Sequence, residues 1–64
     1  MKVKMNCYNI QASQECVSEL LLAIGFAIDH CEERNLPTLH NNFRKMHTDL
    51  YNALVECGYY GKHN

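Results

Sequence analysis

Apolar residues along this chain fall into two long stripes of helical period. In the first, Val17, Leu21, Ile24, Ile28 and Cys31 follow a 4-3-4-3 spacing, with Leu20 and Ala27 beside them. At about 100° per residue these positions share one side of a helix. Ile10 falls on the same side one heptad earlier, so the pattern predicts a helix over 9–34. Asn9 or Ser13 can cap its start, because either side chain accepts from free backbone N–H groups. Gly25 lies inside it at a cost of about 1 kcal/mol relative to alanine, and it can admit the close approach of another backbone. In the second stripe, Leu39, Phe43, Met46, Leu50, Leu54 and Cys57 repeat at 4-3-4-4-3, with Ala53 alongside, predicting a helix over 38–57.

Between the stripes stands Asn35-Leu36-Pro37. Asparagine tolerates the left-handed conformation that ends a helix, and Leu36 can fold back onto the last turn. Proline disfavours helix at the residue before it and suits the first position of the next helix. Residues 35–37 are therefore the turn. Gly58 is a second left-handed stop, with Tyr59 placed to pack back and 58–64 forming a tail. At the other end, Val3 and Met5 alternate with Lys2 and Lys4, a strand-like pattern with no evident pairing partner. Residues 1–8 are accordingly read as an extended leader lying across the helices.

A short turn between long helices makes them antiparallel. The expected fold is all-α, a single helical-hairpin domain. The first helix carries more apolar surface than one neighbour covers. Leu22 and Phe26 lie a turn apart on the side away from the main stripe, among Glu15, Glu19, Asp29 and Glu33. Ala12, Cys16, Ala23 and Ala27 form a strip of small side chains, and Tyr51 and Val55 lie outside the stripe of the second helix. This surplus predicts a homodimer, most simply a four-helix bundle with two-fold symmetry.

Composition supports folding and restricts the partners. Sixty-four residues make one domain, 47% hydrophobic and 20% charged. That is outside the polar, highly charged range of disordered chains. A chain this short builds a marginal core unless a disulfide, a metal or a second copy adds to it. The net charge of -1 argues against a broad basic surface for nucleic acid. The segment Met5-Asn6-Cys7-Tyr8-Asn9 that follows the first two lysines is too polar for an export signal. The apolar run Leu20–Ile28 is far short of the ~20 residues that cross a bilayer. A cytoplasmic protein with reduced thiols is expected.

Three kinds of chemistry are open to these residues besides protein binding. The metal candidates are Cys7, Cys16, Cys57 and His63, which an antiparallel hairpin would gather at its open end; His30, Cys31 and His40 would meet at the closed end. No pair has C-x-x-C or H-x-x-x-H spacing, so cysteine as core filler and histidine as surface residue are expected instead, with no cofactor. Catalysis requires a cleft of about 300 Å³ or more with a positioned base, and no catalytic residue is expected. For nucleic acid, Arg44, Lys45, His40 and His47 supply some positive charge, joined by Lys2, Lys4 and Lys62, with Asn41 and Asn42 as base readers. That is less than a groove-reading helix carries. Protein interaction remains: Leu22, Phe26, Ala23, Ala27, Tyr51, Val55, Tyr59 and Tyr60 are the expected interface, since tyrosine joins an apolar ring to a polar tip. The expected function is a small non-enzymatic regulator or inhibitor that binds another protein through helical surfaces, a build common among small phage and plasmid proteins. A zinc-binding or redox-sensing module and a dimeric nucleic-acid-binding regulator are the alternatives.

Overall fold

A computed structural model describes residues 1–60 of the chain. Four elements follow in order: β1 (Lys2–Met5), β2 (Tyr8–Gln11), α1 (Gln14–Arg34) and α2 (Pro37–Glu56). The molecule is mostly helical. Its two helices form the expected antiparallel hairpin, and a two-stranded sheet packs on them.

The sheet corrects the reading of residues 1–8 as an unpaired leader and of 9–13 as helix. β1 and β2 are antiparallel, with Val3 opposite Ile10 and Met5 opposite Tyr8. Beyond the strands, Met1 and Ala12 exchange two further backbone hydrogen bonds of 2.6 and 3.0 Å. The two-residue loop Asn6-Cys7 turns the chain, and Asn6 takes a φ of 57°. Asparagine reaches that left-handed region more readily than most residues. The Asn6 backbone N–H donates to the Asp49 carboxylate at 2.7 Å, which pins the turn to the middle of α2. Alternation then sends Val3 and Met5 inward and Lys2 and Lys4 outward.

Of the two candidate caps, Ser13 starts α1, its hydroxyl accepting from the Cys16 N–H at 3.1 Å. Asn35 ends α1 at a φ of 54°. There the Leu36 N–H donates to the Cys31 carbonyl and the Asn35 N–H to that of Glu32. These are the paired bonds of a Schellman motif. Pro37 opens α2 in its first turn. Gly58, at a φ of 86°, closes α2 with the same pattern, as the Tyr59 N–H reaches the Leu54 carbonyl and the Gly58 N–H that of Val55.

The core joins Val3 and Met5 of the sheet to Val17, Leu21 and Ile24 of α1 and Leu50 and Leu54 of α2. It lies towards the open end of the helix pair. β2 feeds α1 there through Ala12 and Ser13, so the β-hairpin covers only the stretch from Asp49 to that end. Beyond its reach Cys31 alone is buried among the described residues. Leu39, expected in the core stripe, is 47% exposed, and Cys57 at the other end of that stripe is also exposed. No helix among the described residues is long and apolar enough to cross a membrane.

Candidate interaction surface

The β-hairpin covers one side of the helix pair and leaves the other open. Asp49, which holds the hairpin turn, and His47, which lines a groove between the helices, are two residues apart on α2. They therefore point about 160° apart around the helix. The groove thus opens on the side away from the sheet.

Leu22 and Phe26 of α1 form its apolar wall and are 62% and 67% exposed. Gly25 between them lowers the wall, and nothing lies within 4 Å of where its Cβ would be. Glu19 and Asp29 bound the groove along α1, His47 faces it from α2, and Tyr60 closes it; the space measures about 690 Å³. On α2, His47, Tyr51 and Val55 are spaced four apart, so they follow the same side of the helix.

The sequence presents Leu22–Phe26 and Tyr51–Val55 as separate patches. The structure joins them through Tyr60. This ring lines the groove beside Leu22 and Phe26, and it stacks on Tyr51 with centroids 5.8 Å apart and planes 28° from parallel. Tyr59 meets Tyr60 edge-on at 5.1 Å and packs against the core. The positive φ of Gly58 makes this possible by turning the chain back over the end of α2. Tyr60 is therefore part of the folded face, although the sequence places it in a tail. The signal was present in the order Gly58-Tyr59-Tyr60, a helix stop followed by two amphipathic rings.

The expected small-residue strip does not join this face. Ala12 packs against the core, Ala27 is half-buried and Ala23 is exposed outside the groove. Ser18, Glu19, Gly25 and His47 line the groove as well, which the sequence does not show because the groove exists only once α1 and α2 are side by side.

The thiol and imidazole candidates are dispersed. Cys7, Cys16 and Cys57 are exposed free thiols, and Cys31 is a buried one. Cys7 sits in the hairpin turn at the level of Asp49, whereas Cys57 lies eight residues further along, or about 12 Å of helix rise. The Cys57 thiol donates to the Leu54 carbonyl at 3.2 Å. His63 lies outside the described residues. At the closed end, Cys31 and His40 line one small cleft of about 280 Å³, without His30. The His40 Nε2 there is shielded from solvent and lacks a hydrogen bond, with the Glu32 carboxylate 3.6 Å away. Among the described residues no three His, Cys, Asp or Glu side chains come together as a metal site would require. No family model, no curated protein and no solved structure matches the chain.

Proposed function

We propose that this protein is a small non-enzymatic regulator that binds another protein through the open side of its helix pair. The observation that carries this reading is the joining of Leu22, Phe26, Tyr51, Val55 and Tyr60 on one uncovered side. Single exposed apolar residues are ordinary on a protein surface, whereas a contiguous patch with polar rims is the usual mark of an interaction site. Rings such as Tyr51 and Tyr60 add contact area with little rotamer entropy to lose. The groove between two helices suits an apolar anchor from a partner. Self-association through the same side, closing the four helices of two copies into a bundle, is the competing use of this surface.

The test is affinity capture from the native host, with the wild-type chain and Phe26→Asp as parallel baits. Phe26 is 67% exposed, so the substitution leaves the core intact, and circular dichroism checks that helicity is kept. Capture of a defined protein by the wild type, lost with Phe26→Asp and kept with Lys4→Gln on the sheet side, is expected. Equal capture by all three baits, or none by the wild type, rejects the reading.

A further inference from the structure

The open side of the helix pair is divided by charge. Five of the seven acids of the chain fall on α1, namely Glu15, Glu19, Asp29, Glu32 and Glu33. Glu15, Glu19, Asp29 and Glu33 flank Leu22 and Phe26 on the open side. By helical spacing Arg44, His47, Tyr51 and Val55 follow one side of α2, with His47 in the groove and Arg44 at its outer edge, where it also lines a shallow cleft with Lys45 and Thr48. Levels along the pair are fixed by the His40–Glu32 contact at the closed end. In this antiparallel register Arg44 is level with Asp29, and Tyr51 with Leu22.

A second copy can meet this side about a two-fold axis in either of two simple directions. With the axis across the helices near residue 24, α1 lies antiparallel on α1, so that Glu19 meets Asp29 of the partner subunit and Glu15 meets Glu33 of the partner subunit. With the axis along the helices, α1 lies antiparallel on α2. Asp29 then faces Arg44 of the partner subunit, and Leu22 faces Tyr51 of the partner subunit. Acids meet acids in the first arrangement, whereas the second sets Asp29 against Arg44 and leaves the other acids facing uncharged residues.

We propose that the open side pairs with a second copy about a two-fold axis parallel to the helices, α1 of each copy lying antiparallel on α2 of the other. The four helices form a bundle, and the two β-hairpins become its outer layers. Self-pairing uses the same side as the protein-binding reading, so the two compete, but it requires no foreign protein and is measured on the purified chain.

Sedimentation of the full chain tests the pairing. The wild type is expected to dimerise as concentration rises. Asp29→Arg alone places arginine against arginine at both junctions, and Arg44→Asp alone places aspartate against aspartate. Each is expected to weaken dimerisation by about tenfold or more. An equimolar mixture of the two variants restores opposite charges at both junctions and is expected to give heterodimers as tight as the wild type. Circular dichroism of each variant confirms that the monomer fold is kept. A wild type that stays monomeric at millimolar concentration overturns the pairing, as does a mixture no tighter than the separate variants. A monomeric wild type that still captures a host protein through Phe26 would overturn self-pairing alone and leave the protein-binding reading standing.

Discussion

One substitution made at two glycines separates conformation from space. An added Cβ meets nothing within 4 Å at Gly25 or at Gly58. Gly25 lies inside α1, where alanine is favoured by about 1 kcal/mol. Gly58 holds a φ of 86°, where an L side chain costs about 1–2 kcal/mol. Gly25→Ala should therefore raise the urea midpoint of the dilute chain and Gly58→Ala should lower it. The second change should also weaken the near-ultraviolet dichroism of the Tyr51–Tyr60 stack, because the turn at Gly58 places Tyr60. Equal shifts of one sign at the two sites would show that the φ at Gly58 is not what sets the cost. His40 makes a related point. Its Nε2 is shielded without a hydrogen bond, 3.6 Å from the Glu32 carboxylate, so at this atom the imidazole adds packing without a satisfied polar contact.

Among the elements, the helices were legible and the sheet was not. A stripe of five or six apolar members at spacings of three and four cannot belong to a strand, whose period is two. Asn35-Leu36-Pro37 and Gly58 add stop signals with a mechanism. The β-hairpin was hidden because Ile10 satisfies two periods. It lies one heptad before Val17, as a helix would place it, and directly opposite Val3, as a sheet does. The turn holds no glycine, so Asn6 supplies the left-handed residue itself. The tie that secures the turn spans 43 positions of the chain, beyond the reach of any local pattern. That tie can be tested separately from the core. A hydrogen bond to a carboxylate contributes about 1.5–3 kcal/mol, so Asp49→Ala should destabilise the chain by roughly that amount. Amide exchange should accelerate most across Lys2–Gln11 and least in the α1–α2 seam around Ile24 and Leu50. Uniform acceleration would mean that the hairpin and helices open as one unit.

At the scale of the whole molecule, shape links stability to association. The radius of gyration is 12.3 Å, against about 10.7 Å for a compact domain of this length, and the thinnest dimension is 15 Å. Such a slab has room for one layer of buried side chains, and among the described residues only Val17, Leu50 and Leu54 are wholly enclosed. A second copy on the open side would turn Leu22 and Phe26 into interior residues. Anything that binds the folded state and not the unfolded one raises stability by mass action. For a dimer, a tenfold rise in concentration adds about 1.4 kcal/mol per dimer, or about 0.7 per chain. In a domain this small that corresponds to a rise in Tm of about 3–5 °C. The wild type should show this rise for each tenfold increase in concentration, whereas Phe26→Asp should melt at one temperature throughout. If both melt independently of concentration, the exposed Leu22–Phe26 surface adds nothing to stability, and the slab stands on its single enclosed layer alone.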